Sequence, residues 1–361
     1  MRAFIFGETS SSSSGSSSSL SLSSSSNTET DNTTREESIH ILAIAIMNQE
    51  VMPLALANMK ALDFETRKGI ATVFNHLLRH NVNNFATEYM EHHTSLLATM
   101  VDGYTQPDVA LYCGSMLREA VRGHVHLHEA LLYGADGGVS TPLRSLFETH
   151  VHNPNFEVAM DAFDTLQTLL TCNKPAIFRF LNPEGDAASL ARYHDVTALY
   201  NRMLQSDNYV LKRQSLKLLS EFLLDRYNFT VMMKYIGDKN NLKIIMQMLR
   251  HRQPLIQFEA FHVFKVFVAN PEKPADVAEI LSANKSKLIT FLQTFQNEKD
   301  DEQFAEEKVM LIETLNRMPT IQILPPQLQS QPSISSTSST TTTTNTNNTE
   351  GNINFSQEST M

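Results

Sequence analysis

The stretch "LIQFEAFHVFKVFVANPEK" (residues 255–273) is apolar on almost every side of a helix. Phe258, Phe261 and Phe264 recur at steps of three, and polar residues interrupt the run only singly. A helix that is hydrophobic all round is buried by neighbours on several sides. The stretch therefore predicts the core helix of a helical assembly. Its His262 has no His or Cys three or four residues away, so we interpret it as a hydrogen-bonded interior histidine.

Similar helices recur along the chain. They are "DVALYCGSMLREAVRGH" from Asp108, "EVAMDAFDTLQTLLTCNK" from Glu157 and "YVLKRQSLKLLSEFLLDR" from Tyr209, and aligned starts are 46 to 52 residues apart. More degenerate copies start at Phe64 and Phe304. A period in the forties with two or three helices per unit is typical of HEAT and armadillo arrays. We therefore predict an all-α, right-handed helical-repeat solenoid of the armadillo/HEAT-like type, with about six repeats.

The two ends of the chain differ in composition from its middle. Residues 1–37 are rich in Ser and Thr, and residues 319–361 are rich in Pro, Ser, Thr and Asn. Such segments bury too little apolar surface to offset the conformational entropy of the chain. We therefore expect a disordered N-terminal segment (residues 1–37), an armadillo-like helical-repeat domain (residues 38–318) and a disordered tail (residues 319–361).

Cysteine content and hydropathy indicate the compartment. Cys113 and Cys172 are too few for a disulfide framework, and both fall on apolar helix faces. We expect buried, inert thiols in a reducing compartment. No secretory signal pattern is visible, and the apolar run at residues 39–47 is too short to span a bilayer. The sequence therefore predicts a soluble cytoplasmic protein that does not engage a membrane.

Motifs for catalysis or metal binding are absent from the sequence. There is no GxSxG, HExxH or EF-hand loop, and "GADGG" (residues 134–138) lacks the strand–turn–helix context of a phosphate loop. In "HVHLH", the residues His124, His126 and His128 are two apart, a spacing that does not converge on one metal from a helix. We interpret them as part of a surface turn between repeats. The sequence predicts no enzyme, no cofactor and no metal site.

Positive charge is concentrated in one part of an acidic chain. Residues 208–270 carry ten Lys and Arg against four acidic residues, a net charge of +6 in a chain of -10. Tyr209, Arg213 and Lys217 are four residues apart and so share one helix face. A solvated face tolerates such a row, but the row also suits an acidic peptide or a chain-terminal carboxylate. Nucleic acid is disfavoured, because the whole chain is acidic and no recognition motif is present.

Several long runs resemble a known family. "NYVLKRQSLKLLSEFLLDRYNFTVMMKYI" and "IQFEAFHVFKVFVANP" closely resemble the calcium-binding protein 39 family, as do "LDFETRKGIATVFNHLLR", "LYCGSMLREAVR" and "FQNEKDDEQFAEEK". The resemblance covers roughly residues 50–318. It implies an armadillo-like scaffold without catalytic activity. No ligand loop in this sequence supports the calcium in the family's name.

The resemblance also implies partners and a site. Family members bind and allosterically activate kinases. The implied partners are a STRAD-type pseudokinase, a liver-kinase-B type kinase in a ternary complex with it, and germinal-centre (sterile-twenty) type kinases. In the family, a C-terminal Trp-Glu-Phe tail of the pseudokinase enters a pocket, whose matching positions here are Arg213, Lys217, Arg226 and Met246. The positions that match the concave, kinase-facing surface are Phe156 and Tyr209.

An alternative function stays open at this point. A transport or nucleic-acid-binding adaptor can be built on a similar solenoid. An importin-like adaptor would carry ladders of Asn or Trp along its groove, whereas this chain has no tryptophan and shows no ladder.

Overall fold

The structure, a computed structural model, describes residues 25–296 and 301–319, with side chains from residue 36 onward. Within these residues it contains 17 α-helices and no strand, apart from one isolated bridge between Tyr133 and Val139. The chain divides into two compact units, Met1–Val231 and Met232–Met361. The all-α prediction is confirmed.

The first unit contains most of the helices. They are α1 Ser25–Asn48, α2 Val51–Ala57, α3 Phe64–Arg79, α4 Met90–His92, α5 Ser95–Asp102, α6 Pro107–Gly123, α7 Val125–Leu132, α8 Thr141–Glu148, α9 Phe156–Thr171, α10 Lys174–Leu181, α11 Ala187–Leu204 and α12 Tyr209–Leu223. Short 3₁₀ helices connect them at Met59–Ala61, Val82–Asn84, Gly103–Thr105, His150–His152 and Arg226–Asn228, with a π-helical turn at Phe85–Tyr89.

The remaining helices lead into the second unit. The division between the units falls within α13 Phe229–Ile236, which is followed by α14 Lys239–Leu249, α15 Pro254–Ala269, α16 Ala275–Thr294 and α17 Glu302–Arg317. In this unit α15 packs against α14 and α17.

Six helices correspond to the six copies recognised in the sequence, and only these six are called the long helices here: α3, α6, α9, α12, α15 and α17. Within the first unit, α3 packs on α6, α6 on α9, and α9 on α12. Two helices lie between α6 and α9, and two lie between α9 and α12. Within each unit, successive long helices therefore pack on one another, which confirms the helical-repeat prediction.

Side-chain caps fix where several long helices begin. The Asp63 carboxylate accepts the backbone N–H of Thr66 at 3.1 Å before α3, and Asp301 accepts that of Phe304 at 3.0 Å before α17. A carboxylate at this position satisfies one of the N–H groups that the first helical turn leaves unpaired. Pro254 occupies the first turn of α15, where its missing N–H costs nothing.

A polar network joins two repeats of the first unit. The Arg118 guanidinium on α6 forms an ion pair with Asp161 on α9, with 2.7 Å between Nη2 and Oδ1. The Tyr104 hydroxyl donates to Asp161 Oδ2 at 2.7 Å. A Cβ at Gly114 would lie 1.8 Å from that same oxygen, so a side chain there would force the carboxylate away. Glycine at this position allows α6 and α9 to approach closely.

Aromatic rings join the repeats of the second unit. The Phe261 ring on α15 lies 4.9 Å from Phe304 on α17 and 5.8 Å from Phe295, measured between centroids. His262 is half-buried beside this cluster, with its Nδ1 at 3.9 Å from Glu307 Oε2. The interpretation of His262 as an interior histidine was wrong in that its ring reaches the surface, next to an acidic side chain of α17.

The three histidines of "HVHLH" do not form a surface turn, so that interpretation was wrong. His124 precedes α7, and His126 and His128 lie within it. Each ring Nε2 donates to a distant backbone carbonyl: to Leu78 at 3.0 Å, Ala86 at 2.9 Å and Leu169 at 2.7 Å. The Leu78 and Leu169 carbonyls lie in the last turns of α3 and α9, and the Ala86 carbonyl lies in the π-helical turn Phe85–Tyr89. The histidines supply donors to them and link repeats.

The two cysteines differ. Cys113 is buried as expected, and burial raises the pKa of its thiol to about 12. Cys172 is exposed, so the prediction that both thiols are buried was wrong for this residue. It follows the last residue of α9, and its thiol donates to the Val121 carbonyl of α6 at 3.5 Å.

The helical region begins earlier than expected. α1 starts at Ser25, ahead of the boundary expected at residue 38. Residues 1–24 and 320–361, on which most of the predicted disorder falls, lie outside the described residues. The domain limits at residues 38 and 318 stay a prediction.

Among the residues that the structure describes, no single helix has the length and apolar content to cross a bilayer, although Glu36–Asn48 and Val51–Ala57, bent by 67°, reach that threshold as a pair.

Candidate partner-binding surface

The face of α12 presents a row of one aromatic and two cationic side chains. Asn208 sets the start of this helix, because its side-chain oxygen accepts the backbone N–H of Val210 at 3.0 Å. Tyr209 is therefore the first helical residue, with 38% of its surface exposed. Arg213, half-buried, and Lys217, exposed, follow at intervals of one helical turn.

Lys217, the last cation of this row, has an acidic neighbour on the same helix. The Lys217 ammonium lies 4.0 Å from the Glu221 carboxylate one turn further along α12. An exposed pair at this distance contributes little stability and exchanges readily with solvent or another anion. Lys217 can therefore meet a carboxylate of a partner without breaking a strong bond.

Arg226 is exposed at the start of the 3₁₀ helix Arg226–Asn228. The preceding Asp225 pairs with Lys174 at 2.7 Å and accepts the backbone N–H of Tyr227 at 3.0 Å. The hydrogen bond from Lys174 holds the pKa of Asp225 below its usual range, with a smaller contribution from the Tyr227 N–H. Asp225 is thus ionised and engaged by Lys174.

Phe156 occupies in α9 the position that Tyr209 occupies in α12. Asn155 caps α9 through the backbone N–H groups of Glu157 and Val158, and Phe156 is 60% exposed. A cavity of about 230 Å³ lies between the first turns of the two helices and is lined in part by Phe156 and Leu211. This surface offers apolar contact area to a folded partner.

The sequence reasoning missed an apolar cluster beside Arg226. Leu224, Tyr227 and Phe229 are 56%, 53% and 58% exposed, between the end of α12 and the start of α13. The signal was present in "LLDRYNF", where large apolar residues continue through a helix break. Exposed apolar side chains next to cations suit a ligand that combines aromatic and acidic groups.

Met246 lies in the second unit, on α14, and its side chain is fully buried. The other three predicted pocket residues belong to the first unit. The contribution of Met246 to a partner's binding stays a prediction.

The chemistry of these surfaces is that of binding. Among the residues that the structure describes, no group of three or more His, Cys, Asp or Glu side chains is placed to hold a metal ion. What the first unit presents is a set of exposed aromatic and cationic side chains on rigid helices. Fold and surface together define a helical-repeat protein, a class whose extended surfaces commonly bind other polypeptides.

Comparison with known proteins identifies the family. The model of the Mo25-like family matches residues 17–319. "MO25-like protein 2" of Caenorhabditis elegans is 41% identical over 290 residues, covering 80% of this chain and 81% of that protein. "Calcium-binding protein 39-like" of Mus musculus is 40% identical over 282 residues, covering 77% and 79%. "Mo25-like protein" of Schizosaccharomyces pombe is 38% identical over 282 residues, covering 77% and 80%.

The chain belongs to the Mo25-like family. This confirms the resemblance carried by its long sequence runs. Mo25 proteins are non-catalytic scaffolds of kinase complexes, and the chain is accordingly a scaffold.

Proposed function

We propose that this chain binds and allosterically activates protein kinases in the cytoplasm. One route is through a STRAD-type pseudokinase, which brings a liver-kinase-B type kinase into a ternary complex. The other is direct binding of germinal-centre (sterile-twenty) type kinases. Membership of the Mo25-like family supports a kinase-complex scaffold, and the particular partners are the proposal.

The first step is capture of the pseudokinase's C-terminal tail. A tail that ends in Trp-Glu-Phe brings two negative charges, from the Glu side chain and the terminal carboxylate. Arg213, Lys217 and Arg226 bind these groups through charge-assisted hydrogen bonds, which are roughly twice as strong as neutral ones. The observation that carries this proposal is the row of cations on α12, together with the exposed Arg226 that follows this helix in the chain.

The second step is a shift of the kinase towards its active conformation. Phe156 and Tyr209 contact the kinase-like domain, and their exposure at the starts of two successive long helices supports that role. A scaffold shifts a conformational equilibrium only by its higher affinity for one of the two forms. The rigid spacing of α9 and α12 favours the kinase form whose surface matches it.

Tail capture is tested by titrating a peptide that ends in Trp-Glu-Phe into the full chain. Arg213→Ala is expected to weaken binding by about 1.5–3 kcal/mol and to flatten its dependence on salt, because a charged hydrogen bond is lost. Lys60→Ala removes one exposed positive charge from another part of the first unit and serves as the matched control.

Amidation of the peptide's C-terminus is expected to mimic part of the Arg213→Ala loss, because it removes the terminal carboxylate. Unchanged affinity for both the amidated peptide and the Arg213→Ala variant would show that the row on α12 is only a solvated face.

The activation step has a separate readout. Phe156→Ala is expected to lower activation of a bound kinase several-fold while the affinity for the tail peptide stays constant, because Phe156 serves the kinase-facing surface. Since this side chain is exposed, its loss should change stability by less than about 0.5 kcal/mol. A kinase assay beside the peptide titration separates the two steps, and equal loss in both would contradict the division of roles.

A further inference from the structure

A groove of about 540 Å³ opens in the first unit between α2 and α3. Its apolar lining comes from Ile46 at the end of α1, Val51 and Met52 on α2, and Ile70 and Val73 on α3. A Cβ added at Gly69, on the same wall, would meet no heavy atom within 4 Å. The groove is therefore open and has room for large side chains.

Its position explains why it is open. α3 is the first of the long helices, and each of α6 and α9 packs between a preceding and a following long helix. In the described residues no other helix of this recurring set precedes α3; α1, although it has more residues, packs on α2 and on the 3₁₀ helix Val82–Asn84. A helical array exposes the apolar side of its terminal repeat to water unless a cap covers it.

We propose that Phe4, Ile5 and Phe6 of this chain's own N-terminal segment occupy the groove and cap the first repeat. Ahead of Ser25, these are the only three consecutive large apolar residues; the remainder up to that point is mostly serine. Two phenylalanine rings bring the large apolar area that such a groove takes up.

The charge beside the apolar run and the length of the linker that follows it both fit this occupant of the groove. Among the described residues lining the groove, Glu65 is the ionisable one, and Arg2 adjoins the apolar run with the opposite charge. Ile46 lies 21 positions after Ser25 on α1, which is about 32 Å along a helix. The 18 residues from Gly7 to Ser24 span up to about 59 Å when extended.

The tether favours this segment over a second copy of the chain. A segment joined by a short linker faces its site at an effective concentration in the millimolar range. A separate molecule would have to reach that concentration in solution to compete.

The chain has no tryptophan, so Phe4→Trp in the full chain creates a single fluorescent reporter. We expect blue-shifted emission and quenching by acrylamide several-fold weaker than that of a free tryptophan peptide. Adding Gly69→Phe fills the groove and should shift the emission to the red and restore quenching. Gly123→Phe, at another helical glycine with open space around its Cβ, is the matched control and should change neither.

Val51→Asp is a second blocking variant, since it places a charge at the groove mouth on a partly exposed residue. It should likewise shift the emission of the Phe4→Trp protein to the red and restore quenching by acrylamide. Red emission of the Phe4→Trp protein itself would overturn the proposal, as would blue emission that persists in both blocking variants. A blue shift that disappears on dilution would also overturn it, because the occupant would then be a second copy.

Discussion

Arg118 and Phe261 occupy comparable places, each on a long helix facing the next repeat, yet they hold their neighbours by opposite means. Arg118 donates to both oxygens of Asp161, at 2.7 and 2.9 Å, and to the Thr165 hydroxyl at 2.8 Å. Phe261 is fully buried against other rings. We call the contacts of Arg118 the polar joint and those of Phe261 the aromatic joint. The polar joint depends on the positions of individual atoms, whereas the aromatic joint depends on the apolar area that it removes from water.

This difference predicts that a loss of side-chain volume lowers stability more in the aromatic joint than in the polar one. Phe261→Ala is expected to destabilise the second unit by about 3–5 kcal/mol, the cost of a buried aromatic and the cavity left behind. Met310→Ala on α17 is the control, since its side chain is 68% exposed. Urea unfolding read by hydrogen exchange in residues 254–294 measures both. A loss below about 1 kcal/mol for Phe261→Ala would mean that the cluster collapses into the space.

The polar joint should respond to the removal of one charge. Arg118→Ala leaves the Asp161 carboxylate, which is only 12% exposed, without its cation, and we expect a loss of about 3 kcal/mol. Arg79→Ala breaks an ion pair with Glu119 at the same 2.7 Å separation, but Arg79 is 60% exposed. The Arg79→Ala variant should lose about 0.2–1 kcal/mol of stability. Equal losses in urea unfolding would contradict the distinction between the two pairs.

Acidification should weaken the first unit through His128, with the smallest effect of the three changes. Burial lowers the pKa of this histidine, and its hydrogen bond to the Leu169 carbonyl opposes that shift only in part. The unfolded chain therefore takes up the proton more readily. Stability is complete above about pH 6.5 and falls below it, by at most about 1.4 kcal/mol per pH unit for one histidine.

The variant His128→Gln keeps an N–H donor for Leu169 but does not titrate. Unfolding free energies at about pH 7.5 and about pH 5.5 should differ less in this variant than in the unmodified chain. Burial also lowers the pKa of His150 and His152, so part of the dependence on pH will remain. Parallel pH profiles of the two proteins would exclude His128 as a contributor.

Sequence alone predicted the repeats but not the contacts between them. All six long helices were located from the apolar pattern around Phe261 and from its recurrence about every fifty residues. This was possible because the burial of a helix face sets the spacing of apolar residues within that one helix. The partners of His128 and Arg118 were not predictable, since each contact spans more than forty residues and depends on how two repeats meet. "HVHLH" was misread for that reason.

The candidate surface was predicted in part. Helical spacing placed Tyr209, Arg213 and Lys217 on one face, because residues that are four apart in a single helix lie on the same side of it. The cluster around Tyr227 was missed, since exposure in a helix break depends on which neighbours cover it. The full burial of Met246 likewise follows from the packing of α14 and not from its local sequence.

The span of the joints in the first unit bears on how the chain folds as it is made. The contacts from Arg79 to Glu119 and from Tyr104 to Asp161 connect residues 40 and 57 positions apart. A ribosome adds residues at about 5–20 per second, so roughly fifty residues take about 3–10 s to appear. Structures rich in local contacts fold within about milliseconds. Each repeat can therefore dock on the one before it while the next is still being synthesised, and translation itself would set the order of assembly.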